Sequence, residues 1–269
     1  MLNIYLTIVL APLIGSIVVG LAGNQLGRTL SHSITILGVA ISTVLSLYVF
    51  NHHVLNDADI FNQNIYTWMQ IGGLNISIGF LVDNLTSVML VVVSFVSLMV
   101  HIYTIGYMHD DKGYTKFFSY ISLFTFAMFT LVISNNFMQL FFGWEAVGLV
   151  SYLLIGFWHH KESAIEANLK AFLVNRVGDF GFLLGIALVL MFFGTLDYAE
   201  AFSQKDQIIE QTLFGGSAIT VVCLLLFVGA MGKSAQVPLH VWLPGSTGGS
   251  PSYHDVLKSK IWYIKVHVF

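Results

Sequence analysis

A single carboxylate stands in the middle of a long apolar segment of this chain. Residues 137–153 read FMQLFFGWEAVGLVSYL, and Glu145 is the only ionisable carboxylate among them. A charge at the centre of a membrane helix costs about 2.5–3.5 kcal/mol on insertion scales, so such a residue faces a bundle interior or water. Glu145 therefore predicts a group that relays a proton or an ion. The alternative is a structural ion pair between two helices.

The next apolar segment carries four charged residues. Arg176 and Asp179 are three positions apart, so they share a helix face and can form an ion pair, which we interpret as structural. Lys170 lies nine residues before Asp179 and faces about half a turn away, which makes it a candidate for pairing with a charge on another helix. Glu166 lies near the end of the segment and is expected at the membrane interface.

Lys233 ends a further apolar run, residues 218–232, and Pro238 and Pro244 follow it. Proline removes a backbone donor and kinks or breaks a helix. Broken helices occur at membrane depth only where protein or a water-filled cavity satisfies the freed backbone groups. Lys233 could therefore belong to an ion site beside a helix break, as in transporters. It could equally extend from a helix end toward the aqueous interface.

Other chemistries have little support. Cys223 is the only cysteine, which excludes an intrachain disulfide and a cysteine metal cluster. The adjacent pairs His52-His53 and His159-His160 do not point to one side of a helix, so we expect loop or interface histidines and no metal site. The net charge of −3 argues against a nucleic-acid partner.

The composition indicates which elements hold these residues. The chain has 269 residues, 56% of them hydrophobic and only 9% charged, and its mean hydropathy is +0.80. Soluble domains carry about 25% charged residues, so the lipid bilayer must be the solvent for most of this surface. About 20 apolar residues cross a bilayer as a helix. Seven such spans are predicted, at about 2–22, 31–50, 80–107, 117–134, 137–158, 165–193 and 214–236.

The basic residues between the spans predict an orientation. Arg28, Lys112, Lys116 and Lys161 fall in one set of connections, and only Lys205 falls in the opposite set. Basic loops stay in the cytoplasm, so the N-terminus is expected outside. The long external connection, residues 51–79, carries a weak signal for a hairpin.

Four stretches of the chain resemble a known family. Residues 80–83 (FLVD), 142–155 (FGWEAVGLVSYLLI), 171–179 (AFLVNRVGD) and 232–244 (GKSAQVPLHVWLP) are similar to the large antiporter-like subunits of bacterial NADH:quinone oxidoreductase, respiratory complex I. The resemblance covers about residues 1–244. It implies an all-α integral membrane fold of inverted repeats, of which this chain has about seven helices, with a broken helix near Pro238.

The resemblance also implies a function. Members of this family move protons in response to electron transfer elsewhere in their complex. Glu145 and Lys233 correspond to the glutamate and lysine of the first half-channel, and Lys170, Arg176 and Asp179 to the charged residues of the sixth span. No cofactor or redox site is expected in this chain, because flavin, iron–sulfur clusters and quinone lie on partner subunits. The other membrane subunits of complex I are the expected partners, in the bacterial inner membrane.

The sequence suggests three segments: helices one to three in residues 1–116, an incomplete antiporter-like repeat in 117–244, and a tail outside the family pattern in 245–269. The change to GSTGGSPS after Pro244 predicts a truncated or frame-shifted product that cannot translocate protons alone. Two alternatives stay open: the large subunit of a multisubunit cation/proton antiporter, and a membrane fragment that merely inserts.

Overall fold

The computed structural model describes residues 1–72, 74–204, 211–213 and 215–246. Five helices in this part of the chain are long and apolar enough to cross a membrane, in agreement with a multi-pass, predominantly helical membrane fold. The chain forms two compact units, which are described separately. Lys205 and all but the first two residues of the predicted tail lie outside the described residues, and the three-segment division stays a prediction.

Each of the two units is built from more than one segment of the chain. Unit 1 consists of Met1–Tyr66, Ser77–Asn135 and Phe142–Leu154, and unit 2 of Thr67–Ile76, Asn136–Phe141 and the chain from Ile155 onward. The long helices are α1 (Leu2–Phe50), α2 (Asn84–Tyr107), α3 (Tyr114–Val132), α4 (Phe137–Ile155), α5 (Glu162–Phe193) and α7 (Ala218–Lys233), with short helices α6 (Tyr198–Ser203) and α8 (Leu243–Ser246). The strands are β1 (Phe61–Ile71), β2 (Leu74–Val82), β3 (Thr212–Leu213) and β4 (Gly216–Ser217).

Helix α1 contains two of the predicted spans. At Gly27 the backbone leaves the helical region, with φ 74° and ψ 177°, a conformation that favours glycine. The two halves then run antiparallel, since the Ser42 hydroxyl donates to the Ile8 carbonyl at 2.8 Å. A Cβ on Gly38 would lie 2.9 Å from the Ala11 carbonyl oxygen, so the halves pack closely. With α1 counted as two spans and the shorter apolar helix α7 added, the described residues contain the seven predicted apolar helices.

Small polar residues join α1 to α3 in unit 1. The hydroxyl of Ser16 donates to the Ser119 carbonyl at 2.9 Å, and the Ser122 hydroxyl donates to the Pro12 carbonyl at 2.8 Å. Such residues let membrane helices approach closely and bond across their interface. Around them lies an apolar core that includes Tyr5, Ile8, Leu90 and Phe129, all fully buried.

Two of the predicted spans begin before the helices that form them. The third span was expected to begin at residue 80, but β2 runs to Val82 and α2 begins at Asn84. The Asp83 carboxylate accepts the Thr86 N–H at 2.7 Å and caps the helix. The last span was expected from residue 214, but α7 begins at Ala218 after the short antiparallel pair β3–β4. Hydropathy placed the start of the third span too early because the apolar residues at the end of β2 lead directly into α2. At the last span, the predicted start comes before the short strand β4.

The weak hairpin signal is confirmed by β1 and β2, which form a two-stranded sheet. Within unit 1, the Asn135 amide donates to the side-chain oxygens of Asn62 at 3.1 Å and Asn64 at 2.7 Å. Gly79 lies directly against the same amide, where a Cβ would come within 2.2 Å of the Asn135 nitrogen. These contacts attach the hairpin to the end of α3.

Candidate functional site

Glycines bring α5 and α7 together in unit 2. A Cβ on Gly178 would lie 3.1 Å from the Cα of Gly232, and a Cβ on Gly181 would lie 2.7 Å from a Val228 methyl group. From the other side, a Cβ on Gly229 would lie 2.6 Å from the Phe182 Cβ. Small residues are the usual means of close approach between membrane helices, where the hydrophobic effect does not drive association. The two backbones therefore nearly touch at Gly178 and Gly232.

Asp179 and Lys233, which directly follow Gly178 and Gly232, form an ion cluster with Arg176. Asp179 is 4% exposed, and its Oδ1 lies 3.9 Å from the Nζ of Lys233 on α7. Its Oδ2 lies 3.5 Å from an Arg176 guanidinium nitrogen, which confirms the expected pairing one turn apart. A buried charge is tolerated when it is paired, so each cation compensates the burial of Asp179. With all three groups ionised the cluster has a net charge of +1.

Lys233 lies at an interruption of the helix, as predicted. Helix α7 ends at Lys233, Ala235 has a positive φ of 50°, and a short 3-10 helix follows at Leu239–Trp242. Only 18% of the Lys233 side chain is exposed, and its ammonium group forms the ion pair with Asp179. The negative end of the α7 dipole also favours a cation there. Lys233 therefore lies beside a helix break with its charge next to Asp179, and its membership of an ion site stays a prediction.

Protein groups satisfy the backbone freed by this interruption. The indole N–H of Trp242, which is 1% exposed, donates to the Gly232 carbonyl at 3.1 Å. The Gln236 N–H donates to the Met231 carbonyl at 3.0 Å. Non-helical backbone at membrane depth needs such partners. Trp242 therefore holds the end of α7 in place next to Lys233.

Glu145 belongs to unit 1 and is half-buried in α4. Val147, Val150 and Leu154 of this helix contact the unit 1 core. Glu145 is two positions before Val147, so it lies on nearly the opposite face of α4. The carboxylate therefore does not point into the unit 1 core. Its expected electrostatic coupling to Lys233, in unit 2, stays a prediction.

Lys170 occupies an exposed position on α5 and forms no ion pair with any other described residue. It lies about half a turn away from Asp179, as the spacing predicted. Lys170 is thus separated from the cluster of Arg176, Asp179 and Lys233. An ion pair between Lys170 and a charge on another helix stays a prediction.

Sequence reasoning missed two features. The first is the contact between Asp179 and Lys233, although each charge directly follows a glycine in an apolar helix, which is a usable signal. The second concerns His53, which was expected in a loop or at the interface. What the sequence did not show is its burial: His53 lies just beyond the end of α1, is 2% exposed, and its Nε2 lies 2.9 Å from the hydroxyl of Tyr5. It is buried because the antiparallel halves of α1 bring both ends of that helix together.

Together, the bundle and its paired charges define a multi-pass membrane protein that keeps ionisable side chains within apolar helices. Residues 68–118 match the model of the complex I chain 5 N-terminus, and residues 134–263 match that of the NADH:quinone oxidoreductase/Mrp antiporter membrane region. The chain belongs to this family of antiporter-like membrane subunits. The second match includes much of the tail that begins at residue 245.

Curated relatives agree with this assignment. The chain is 62% identical over 255 residues to NADH-quinone oxidoreductase subunit L of Neisseria meningitidis serogroup B, and the match covers 92% of this chain and 38% of the relative. It is 43% identical over 249 residues to NADH-ubiquinone oxidoreductase chain 5 of Dictyostelium discoideum, covering 91% and 37%. The chain therefore spans somewhat more than a third of the length of these relatives.

A solved structure has the same fold. A chain of the membrane-bound sulfane sulfur reductase, an archaeal respiratory membrane complex, superposes with a TM-score of 0.75 at 18% identity. The superposition covers 97% of this chain and 52% of that chain.

Proposed function

We propose that this chain is the N-terminal part of a proton-translocating membrane subunit of NADH:quinone oxidoreductase. The observation that carries the proposal is the buried pair of Asp179 and Lys233 at the interruption that follows α7. Ionisable residues inside a membrane bundle mark ion or proton pathways. The relatives that share up to 62% of its residues are named as subunits of this enzyme.

In this proposal Lys233 exchanges the proton. The carboxylate of Asp179 is shared with Arg176, so loss of a proton from Lys233 leaves a neutral Arg176–Asp179 pair. Uptake of a proton restores the ion pair with Asp179. Asp179 stabilises the protonated form of Lys233, and the like charge of Arg176 opposes it. These two opposite effects let Lys233 exist in both the protonated and the neutral form. Glu145 and Lys170 are proposed as the other members of the route.

The remaining parts of the proposal follow from the same assignment. Electron transfer takes place on partner subunits that hold flavin, iron–sulfur clusters and quinone, and this chain has no redox site. The other membrane subunits of the complex are its neighbours in the bacterial inner membrane. The N-terminus lies outside, with Arg28, Lys112, Lys116 and Lys161 on the cytoplasmic side.

The test uses the assembled complex, with the full-length subunit carrying Lys233→Met in this segment. Methionine keeps the length of the apolar stem and removes the charge. We expect NADH-driven proton uptake by membrane vesicles to fall several-fold relative to Lys233→Arg, which keeps the charge. Normal assembly is checked by the yield of the intact complex. Unchanged proton uptake in Lys233→Met would contradict the proposal.

The second candidate is the large subunit of a multisubunit cation/proton antiporter, since one matching family model covers both kinds of subunit. The two functions differ in what drives the proton. Vesicles that exchange protons for sodium without NADH would support the antiporter. Proton uptake that requires NADH oxidation would support the subunit of complex I.

A further inference from the structure

One face of α5 carries a line of polar side chains within unit 2. Asn168, Asn175 and Asp179 are seven and four residues apart, so successive members lie within about 40° of one another around the helix. Asn168 and Asp179 are both more than nine-tenths buried. The line ends at the ion pair with Lys233. Burying two amide side chains in an apolar helix costs free energy unless their polar atoms are hydrogen-bonded.

The orientation of the Asn175 amide follows from its hydrogen bond. Its Nδ2 donates to the Ala171 carbonyl at 2.8 Å. The reversed amide would place two oxygens against each other, so Oδ1 must point the other way. That oxygen is fully covered and has no hydrogen-bond partner among the described residues. Asn175 therefore keeps a covered acceptor on the side of its amide that faces away from the Ala171 carbonyl.

Asn168 repeats this situation near the start of α5. Its amide packs against Gly156, where a Cβ would lie 2.4 Å from the Asn168 nitrogen and would displace the amide. The Oδ1 of Asn168 is also fully covered, and it too accepts no hydrogen bond within the described ranges. Two buried amide oxygens without donors lie on the same face of one helix.

Leaving such an oxygen unsatisfied costs about 1–3 kcal/mol, so a small donor should occupy the space beside it. Water fits this role because it can donate two protons and needs two to four polar partners. Asn175 and Asp179 are four residues apart on neighbouring turns, about 6 Å along the axis, so one water can donate to both. The longer step from Asn168 to Asn175, about 10 Å, has room for several waters.

We propose that Asn168 and Asn175 bind internal water along α5, which connects the start of this helix with the Asp179–Lys233 pair. The two asparagines are positioning residues, since they hold water and do not exchange protons. That this water supplies protons to Lys233 rests on the proposed function. The presence of the water does not, and it can be tested separately.

The experiment measures cysteine reactivity in the full chain, reconstituted in lipid nanodiscs. Cys223, the only cysteine, is first replaced by serine. Single cysteines are then placed at Asn168 and Asn175 and treated with methyl methanethiosulfonate, a small reagent that reacts with the thiolate. Thiolates form in water and are suppressed in apolar surroundings. Both cysteines are expected to react at least about tenfold faster than the controls.

Two controls separate hydration from exposure. Ile186→Cys lies on the same face of α5, one step of seven residues beyond Asp179, at a position that is 4% exposed. Val177→Cys lies at an apolar position of α5 that is 59% exposed. Denaturation in detergent must make all four cysteines react, and circular dichroism must show an unchanged helix content. If Asn175→Cys reacts as slowly as Ile186→Cys, the proposal is wrong. If Asn175→Cys reacts fast but Asn175→Leu shows no loss of proton uptake, the water is present but does not supply protons to Lys233.

Discussion

Asp179 and Lys233 lie next to a close contact between their two helices, because each directly follows a glycine at that contact. Gly178 and Gly232 are in backbone contact, and the next residue on each helix carries the charge of the 3.9 Å ion pair. The interruption after Lys233 then fixes the end of α7 through the indole of Trp242. Helix packing and charge placement are thus parts of one local arrangement.

The glycine contact can be tested by adding a single methyl group. Gly229→Ala would place its Cβ 2.6 Å from the Cβ of Phe182, next to the α5 backbone, so α5 and α7 must separate. We expect the free energy of unfolding in detergent to fall by about 1–3 kcal/mol, the usual cost of overpacking. The control is Gly106→Ala in α2, where nothing lies within 4 Å of the added Cβ. Alanine should be neutral or stabilising at that position, because glycine is a poor helix former.

The ion cluster predicts an asymmetry between its members. Asp179→Asn leaves two cations without their shared carboxylate and should destabilise the chain by about 3–5 kcal/mol. Lys233→Met should cost less, because Asp179 keeps Arg176 at 3.5 Å. In the double variant, loss of Asp179 should cost less than it does alone. A double-mutant cycle from chemical unfolding measures this coupling, and strictly additive effects would show that Asp179 and Lys233 do not interact.

The role of Trp242 depends on one hydrogen bond. Trp242→Phe keeps an aromatic ring and removes the donor to the Gly232 carbonyl. The Gly232 carbonyl still accepts the Ala235 N–H at 3.3 Å in this variant. We therefore expect a loss of about 0.5–1.5 kcal/mol in unfolding free energy, the usual net contribution of one hydrogen bond. Trp68→Phe, at a half-exposed position in the β-hairpin, should have a small effect and serves as the control. Equal melting temperatures for the two variants would contradict this role.

Glu145 is expected to be essential for proton movement in the assembled complex. Glu145→Gln keeps the size and polarity of the side chain and removes the ability to exchange a proton. Proton uptake per NADH oxidised should fall, because intramembrane carboxylates serve as relay groups. Glu166→Gln is the matched control, since Glu166 is exposed near the start of α5. A normal proton-to-NADH ratio in Glu145→Gln, with normal assembly, would remove Glu145 from the route.

Much of this architecture could be predicted from the sequence. Long apolar runs located the membrane helices, including the two halves of α1 on either side of Gly27. The spacing of Arg176 and Asp179 predicted their contact, and Pro238 indicated the interruption after Lys233. These features are local, because helix periodicity relates residues three or four positions apart and a break depends on the residues at the break itself.

Tertiary structure decided what is separated along the chain. Lys233 is 54 positions away from Asp179, and no period in the sequence connects them. Their contact depends on how closely α5 and α7 approach, which is set by packing at Gly178, Gly181 and Gly229. The covered amide oxygens of Asn168 and Asn175 likewise became visible only in the folded unit. In a membrane, van der Waals packing and hydrogen bonds select the helix pairs, and these depend on three-dimensional fit rather than on hydropathy.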